Sequence, residues 1–287
     1  MAETIDVIVS GIPGNMAMEA AKLIAQQPDM RLYPYALSSD KNSGRKFNIE
    51  GYEVETLGPS IREEILKHYT GGSNPIYVVD YTTPGAVEEN VKFYVDRGLW
   101  PVIGTTMPKE TLERIVEIIE SSDVSAVISP NMAMPIVAIM SAIECISKEF
   151  PGVFRGYKFS IVESHQQSKR DVSGTARKMV PYFNELTGRN YDEGCIISIR
   201  DPGVQENVLR VPKEHLNGHG WHTYMLKSPD GSVEIKITHN VNGRIVYAEG
   251  TVAALRFLHR KCMEGITGKV YSIKDVMRTF KDFNSYI

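Results

Sequence analysis

The sequence predicts an α/β protein of two domains. The first is built on a parallel sheet, and the second is an α+β unit with a mostly antiparallel sheet. Three observations carry this expectation. Through the first half, short apolar runs alternate with helical patterns, the rhythm of βαβ units. Beyond Tyr157, apolar and polar residues alternate singly, the period of half-buried strands. A glycine loop, "VIVSGIPGNMA", joins the first apolar run to the first helical stretch.

Taken in order, "IDVIVSG" (5–11) reads as a buried strand closed by Gly, and the Ala/Met/Leu-rich "NMAMEAAKLIAQQ" (15–27) as a helix. "RLYPYALSS" reads as a second strand, after which a polar segment, 40–58, interrupts the pattern. "PIYVVDYT" (75–82), "WPVIGTT" (100–106) and "VSAVISPN" (124–131) are the third to fifth strands, with helices at 84–97 and 108–120 between them. In the second half "YKFSIVESH" (157–165) alternates, and "GCIISIRD" and "WHTYMLKS" are short strands. "SVEIKITHNVNG" sets Val233, Ile235 and Ile237 against Glu234, Lys236 and Thr238. One helix, 175–187, sits among these strands. After Gly250 the chain turns helical again ("TVAALRFLHRKCMEG", then "SIKDVMRTF"). No internal repeat and no low-complexity linker is visible.

At 287 residues the chain can bury two cores. Its 42% hydrophobic and 23% charged residues are ordinary for a globular protein. A formal net charge of −3 lacks the basic surplus of a nucleic-acid binder. No apolar run approaches ~18 residues, so no membrane span is expected. "MAETIDVIVSG" enters a strand almost at once, without a leader pattern. Three widely spaced cysteines make no disulfide framework. The expected compartment is the cytoplasm. "HLNGHGWH" brings His215, His219 and His222 close in sequence, but Gly218 and Gly220 break the helix that would converge them, and no metal is expected. Cys145, Cys195 and Cys262 have no identifiable His partner and read as buried or incidental thiols.

The glycine loop holds Gly11 and Gly14, with Ala17 where a third glycine often stands. It follows a strand and opens a helix, the context a dinucleotide fingerprint requires. The glycines permit a tight turn, and the helix start at Asn15 and Met16 presents free N–H groups to a diphosphate. The first domain is therefore expected to be a Rossmann-type dinucleotide-binding unit over 1–131. The second spans 132–249, and helices at 250–287 return to the first. Ser38 and Ser39 end the second strand, where NAD-selective sites carry Asp or Glu. With Lys41 and Arg45 they favour the 2′-phosphate of NADPH, while Asp40 opposes it. NADPH is the preferred cofactor expected, with NADH accepted. Gly104, Thr105 and Thr106 ("GTT"), and Ser129, Asn131 and Met132 ("SPNMA"), sit at the carboxyl ends of the fourth and fifth strands. Ligands bind at that edge of open α/β sheets.

The densest cluster is "ESHQQSKRDVSGTA", 163–176. Ser173 or Gly174 suits a helix N-cap, and the N–H groups there, with the Thr175 hydroxyl, suit a carboxylate. Lys169 adds a positive charge or a proton. His165, ending a strand, suits proton transfer near neutral pH.

On these residues the sequence resembles the 4-hydroxy-tetrahydrodipicolinate reductase family, also called dihydrodipicolinate reductase. The family's hallmark is an acidic residue, a His pair, a Lys two residues before an Asp, and Ser-Gly-Thr-Ala. Here these are Glu163, His165, Lys169, Asp171, Ser173, Gly174, Thr175 and Ala176. The resemblance covers nearly the whole chain, through "SGIPGNM", "VVDYTTP", "VIGTT", "ISPNMA", "RDPGVQENV", "GHGWHTYML" and "THNVNGRIVYAEGTV". "ESHQ" and an "SGTA" without an intervening Pro resemble the plant-type branch.

The resemblance implies an NAD(P)H-dependent oxidoreductase of lysine and diaminopimelate biosynthesis. Such an enzyme reduces a small cyclic dicarboxylate, 4-hydroxy-tetrahydrodipicolinate, after loss of water, to tetrahydrodipicolinate. By position His165 is the acid catalyst, and Lys169 a second proton donor or carboxylate contact. Gly174 and Thr175 hold a carboxylate. Gly104, Thr105, Thr106, Asn131 and Met132 border the nicotinamide. Gln166 replaces the second His of the pair; it is assigned to substrate binding, and it hydrogen-bonds but does not titrate. The resemblance also implies a homotetramer built through the second-domain sheet; from net charge and hydropathy, no nucleic-acid or membrane partner is expected. Two other readings stay open at this point: a related reductase of another cyclic imine or dicarboxylate, and a non-catalytic NADP-binding regulator.

Overall fold

The computed structural model describes residues 4–67 and 74–280. The chain forms two compact units, Met1–Met134 with Ile245–Ile287, and Pro135–Arg244. The sequence places the divides at 131/132 and 249/250; the outermost ends of those expected domains, 1–3 and 281–287, lie outside the described residues. The second crossing comes earlier than 250 because a single uninterrupted helix begins at Ile245.

The first unit opens with β1 (Ile5–Ser10), buried along its length, as expected for a parallel strand covered on both faces. Helix α1 (Asn15–Ala25) buries Ala17, Ala20, Ala21 and Ile24, a stripe at helical spacing. The expected second strand is two pieces, β2 (Met30–Leu32) and β3 (Tyr35–Leu37), both parallel to β1. Pro34 lies between them and has no N–H for the ladder. The polar segment 40–58 carries more structure than its composition suggests. Here β4 (Lys46–Ile49) and β5 (Tyr52–Leu57) form an antiparallel hairpin, and β5 continues the sheet parallel to β3. Glu50 and Gly51 both have positive φ (50° and 91°), the geometry of a tight two-residue hairpin turn. Then follow α2 (Pro59–Leu66), with Pro at its start, β6 (Ile76–Asp80), α3 (Val87–Asp96), β7 (Trp100–Ile103), α4 (Lys109–Glu120) and β8 (Ala126–Ile128).

Helix α5 (Met134–Glu149) leads into the second unit. There the order is β9 (Lys158–His165), α6 (Gly174–Thr187), β10 (Ile196–Ile199), α7 (Pro202–Asn207), β11 (His219–Lys227) and β12 (Glu234–Asn242). The chain then returns to the first unit as α8 (Ile245–Met263), β13 (Val270–Tyr271) and α9 (Ile273–Arg278).

The first sheet runs β13-β8-β7-β6-β1-β3-β5-β4, with β2 also pairing with β1, and only the β4–β5 pair is antiparallel. Strand order reverses at β1, so the crevice at the carboxyl ends of β1 and β6 is a topological switch point, where such sheets bind ligands. Ile8, Leu37, Val78 and Ile103 from the strands pack with Val91, Tyr94, Ile115 and Ile119 from α3 and α4. Helix α8 is tied back to the turn after α1 by Arg256, whose Nε and Nη2 each donate to Asp29 at 2.8 Å.

The second sheet runs β10-β9-β11-β12, with β10 parallel to β9 and the other pairs antiparallel. One face carries Phe159, Ile161, Tyr224 and Leu226 against Met179, Phe183 and Leu186 of α6. Phe183 stacks on Phe159 at 4.1 Å between ring centroids. Each such fully buried side chain is worth roughly 1.5–3 kcal/mol. On the other face Val162, Ser164, Trp221, Thr223, Thr238 and Asn240, with Leu209, line an open hollow. No described helix is long and apolar enough to cross a membrane.

Candidate active site

In the second unit the pleat puts Glu163 and His165, two residues apart on β9, on one face. Register supplies their neighbours: Ser198 and His222 lie opposite Glu163, His239 opposite His222, and Gly220 opposite His165. A polar row, Ser198–Glu163–His222–His239, therefore crosses the sheet where the apolar face under α6 ends.

The Glu163 side chain has no solvent exposure and is fully engaged. It accepts from Arg200 Nη2 (2.6 Å) and Nη1 (3.0 Å), from Ser198 Oγ (2.5 Å), and pairs with His165 Nδ1 (2.5 Å). Burial raises its pKa. The hydrogen bonds from His165, Arg200 and Ser198 outweigh that and hold the carboxyl well below the usual carboxylate range. His165 is largely buried, and its Nε2 faces Gly220, where an added Cβ would stand 3.2 Å away. Its carbonyl accepts from Gln205 Nε2 of α7 at 2.7 Å.

Arg200 also donates to the carbonyls of Lys169 (2.9 Å) and Asp171 (3.2 Å), fixing the loop that carries the cation. Lys169 Nζ lies 2.8 Å from Asp171 Oδ1, and this bond lowers the Asp171 pKa. Gln166 is half-buried, and its carbonyl accepts from the Lys169 N–H at 3.0 Å. Ser173 is the N-cap residue of α6, yet its side chain makes no cap bond. The hydroxyl pairs with His222 Nε2 instead. The helix start at exposed Gly174 and half-buried Thr175 thus keeps its N–H groups for an anion.

His222 is held neutral: burial and the neighbouring His239 and His165 push its pKa down to about 3. Burial likewise takes His239 to about 4. The three histidines flagged by sequence do not converge. His219 pairs with Ser164 Oγ at 2.8 Å and with the His215 carbonyl, while His222 projects from β11 on the face shared with Glu163. Donor atoms of Glu163, His165 and His222 do lie within 4.8 Å of one another. Arg200 claims both carboxylate oxygens there, so a cation would sit against a positive charge. Among the cysteines, expected to be buried or incidental, Cys145 is exposed on α5, which leaves the incidental reading for it; Cys195 and Cys262 are half-buried, and burial raises the Cys195 thiol.

In the first unit Gly11 has φ +110°, and a Cβ there would stand 2.5 Å from the Tyr81 carbonyl oxygen. Only glycine fits. Gly14 precedes α1 without a side-chain cap, so the N–H groups at exposed Asn15 and half-buried Met16 open toward the loop. These features fit a dinucleotide diphosphate. Ser38 donates to the Ile12 carbonyl, and Asn42 Nδ2 bridges Ser38 Oγ (3.3 Å) and Ser39 Oγ (3.4 Å). Arg45 donates to Asn42 Oδ1 at 3.0 Å and lies over the Phe47 ring. Ser39, Lys41 and Arg45 are exposed. Asp40 is turned to the start of α2, where its Oδ1 accepts from Ser60 N (3.0 Å) and Oγ (2.7 Å). Those two bonds lower its pKa. Gly58 makes room, since a Cβ there would meet Asp40 Oδ1 at 2.2 Å.

At the ends of β6 and β7 the organising group is Asp80, which sequence reasoning passed over. It is fully buried and accepts from Thr82 N (2.9 Å), Thr82 Oγ1, Thr105 Oγ1 and Tyr94 Oη (each 2.7 Å). Gly104 packs on the Tyr81 ring, where a Cβ would stand 2.2 Å away. Ser129 Oγ donates to the Asn131 carbonyl, Asn131 Oδ1 accepts from Ala133 N, and Met132 is buried against Gly250. Thr105, Ser129 and Met132 therefore have their side chains turned inward, whereas Thr106 is exposed.

Glu163, Ser198, Arg200, Gly220 and His222 are the site residues that sequence reasoning did not assign. The signal for Glu163 was present as its two-residue spacing from His165 on an alternating strand. The others become neighbours only through strand register.

A family model described as "Dihydrodipicolinate reductase, N-terminus" matches residues 5–132, and its C-terminal counterpart matches 136–277. The chain is similar to "4-hydroxy-tetrahydrodipicolinate reductase 2, chloroplastic" of Arabidopsis thaliana, 39% identical over 274 residues, covering 96% of this chain and 77% of that one. It is similar to "Probable 4-hydroxy-tetrahydrodipicolinate reductase 2, chloroplastic" of Oryza sativa subsp. japonica, 38% identical over 272 residues, covering 95% and 82%. Among solved structures, the dipicolinate-bound dihydrodipicolinate reductase from Paenisporosarcina sp. TG-14 shares the fold, with a TM-score of 0.62 at 22% identity, covering 95% of this chain and 99% of that one.

Proposed function

The chain belongs to the dihydrodipicolinate reductase family, and from that premise we propose how its own residues carry out the reaction: reduction of 4-hydroxy-tetrahydrodipicolinate, after loss of water, to tetrahydrodipicolinate in lysine and diaminopimelate biosynthesis. A nicotinamide cofactor, when bound, supplies the hydride. Gly11, Gly14 and the start of α1 hold its diphosphate, with Asn15 and Met16 at the helix opening. Gly104, Thr106 and Asn131 border the nicotinamide, while Thr105, Ser129 and Met132 shape that edge from within.

One observation carries the chemistry. His165 is clamped through Nδ1 to Glu163, whose partner Arg200 also holds the Lys169 carbonyl, while His222, in ring contact with His165, holds Ser173 at the uncapped start of α6. A cyclic dicarboxylate needs a cation and N–H donors for its carboxylates, and hydride addition to its ring creates a basic position that a placed acid must protonate. His165 is that acid. Lys169, Gly174 and Thr175 bind a carboxylate, with Gln166 as a further hydrogen-bonding contact. The test is NADPH oxidation that depends on freshly generated product of dihydrodipicolinate synthase. Cofactor binding without turnover of that product would sink the assignment.

NADPH is the preferred cofactor and NADH is accepted. Support comes from Ser38, Ser39, Asn42, Lys41 and Arg45 at the ribose end of the crevice, and from Asp40, whose carboxylate is committed to Ser60 and so repels a 2′-phosphate less. The protein assembles as a homotetramer through the open face of the second sheet, where Val162, Leu209 and Trp221 supply the apolar area among Thr223, Thr238 and Asn240. Light scattering that gives a monomer at working concentration would reject this. The cytoplasmic assignment rests on three widely spaced cysteines that make no disulfide framework, whereas the plant relatives are named chloroplastic; fractionation of cells expressing the full chain decides it.

A further inference from the structure

We propose that Glu163 is a positioning residue for His165, fixing the imidazole so that Nε2, and not Nδ1, carries the transferred proton. The proposal rests on the reading of His165 as the acid. Glu163 is buried, and its three hydrogen-bonding partners keep it ionised. An ionised carboxylate only accepts. The hydrogen between Glu163 Oε2 and His165 Nδ1, 2.5 Å apart, therefore belongs to Nδ1.

The carboxylate cannot turn away. Arg200 binds both its oxygens, and Ser198 Oγ donates to Oε1. The same guanidinium holds the carbonyls of Lys169 and Asp171, so the orientation of the acid and the position of the cation share one anchor. On the far side of the ring, Gly220 leaves Nε2 clear, where a side chain would begin 3.2 Å away. The groups facing the imidazole are thus Glu163 on its own strand, Arg200 beyond β10, and His222 of β11, with His239 of β12 behind it.

The Nε2–H bond of the imidazolium breaks, its electron pair stays on Nε2, and the proton goes to the ring position made basic by hydride addition. His165 is left as the neutral Nδ1–H form, the tautomer Glu163 favours, and solvent restores the proton. A carboxylate that holds a catalytic imidazole in one tautomer can be worth ~10⁴-fold in kcat when it becomes an amide.

The test combines kinetics with ¹⁵N NMR of the His165 ring in the full-length protein, using H165A to assign the signal. Wild type should show neutral His165 as Nδ1–H. A neutral Nε2–H form in wild type overturns the proposal without any variant. E163Q should lower kcat by ~10²–10⁴-fold, leave the KM for NADPH unchanged and lose the Nδ1–H preference. E163D, which keeps the charge, should restore that preference and part of kcat. An E163Q protein that retains the Nδ1–H tautomer, or keeps wild-type kcat, overturns the proposal. H165A serves as the separate control on the acid itself. If H165A turns over normally, the assignment of the acid fails, whatever the tautomer shows.

Discussion

His222 Nε2 lies 2.9 Å from Ser173 Oγ, so the N-cap residue of α6 gives its hydroxyl to strand β11 and leaves the helix start uncapped. A buried neutral imidazole thereby keeps Ser173 from capping the N–H groups that we propose for a substrate carboxylate. Replacing His222 with Leu should free Ser173 to cap its own helix and compete with the substrate carboxylate. A cap is worth ~1 kcal/mol, so the KM for the dicarboxylate should rise about fivefold while the KM for NADPH stays put. Steady-state kinetics with both substrates varied reads this directly. An unchanged dicarboxylate KM would mean the α6 start does not bind it.

The division of labour within the 163–176 segment predicts different kinetic signatures. His165→Ala should mainly lower kcat, by roughly 10²–10⁴-fold for a general acid. Thr175→Ala should mainly raise KM, since its contact exists before and during reaction. Lys169→Ala should harm both, because a cation serves the bound carboxylate and the developing charge. Gly220→Ala, which brings a methyl 3.2 Å from His165 Nε2, should lower kcat as well. All should bind NADPH normally in a fluorescence titration. Joint loss of NADPH binding would place the cluster on the cofactor instead.

Cofactor choice turns on where the Asp40 carboxylate goes. Ser60→Ala removes the 2.7 Å hydroxyl bond that helps hold it at the start of α2. A carboxylate released toward the ribose site repels a 2′-phosphate by ~1 kcal/mol in solvent-like surroundings. The ratio of kcat/KM for NADPH over NADH should fall about fivefold. If wild type already prefers NADH, Asp40 governs the site despite its bonds to Ser60.

Stability should depend on pH through the buried histidines. In the unfolded chain His222 and His239 titrate near ~6.5, but folded they do so at about 3 and about 4. Above pH ~6.5 both states are neutral and these residues contribute no slope. As pH falls from there toward 4, the unfolded chain takes up protons that the folded one refuses. Unfolding free energy then drops by up to ~1.4 kcal/mol per pH unit for each histidine. The lowered pKa of Glu163 acts in a separate window: its stabilisation is complete above the ordinary carboxylate range and is lost only as pH falls below ~4.5. Urea midpoints at pH 7.5, 6 and 5 should fall in that order, and His239→Gln should flatten the slope. A wild-type midpoint that is level from pH 7 to 5 would contradict the buried neutral pair.

Elements whose burial follows from local pattern were legible in the sequence. Strands such as Ile5–Ser10 and Ile76–Asp80 are covered on both faces, so their residues are apolar in unbroken runs. The hairpin at 46–57 was not, because it lies at a sheet edge and its exposed Lys46, Glu53 and half-buried Glu55 dilute the alternation. Its tight Glu50-Gly51 turn, with both φ values positive, is seen only in the structure.

The site divides in the same way. His165, Lys169, Gly174 and Thr175 fall in one short segment, and the chemistry of a strand end followed by a helix start is local, so the sequence by itself was enough to propose them as site residues. It was likewise enough for Gly11 and Gly14, because a strand-to-helix turn with close backbone contact admits no side chain. What surrounds those residues was decided by tertiary structure alone. Glu163 meets Ser198 and His222 because β9 pairs with β10 and β11 in one register, and a slip of one residue would send every one of these side chains to the opposite face. Asp40 reaches Ser60 across the β4–β5 hairpin, and Ser173 reaches His222 from another element. Composition and spacing carry no record of such pairings, because register is chosen by the packing of the whole face under α6 and not by the residues that meet there.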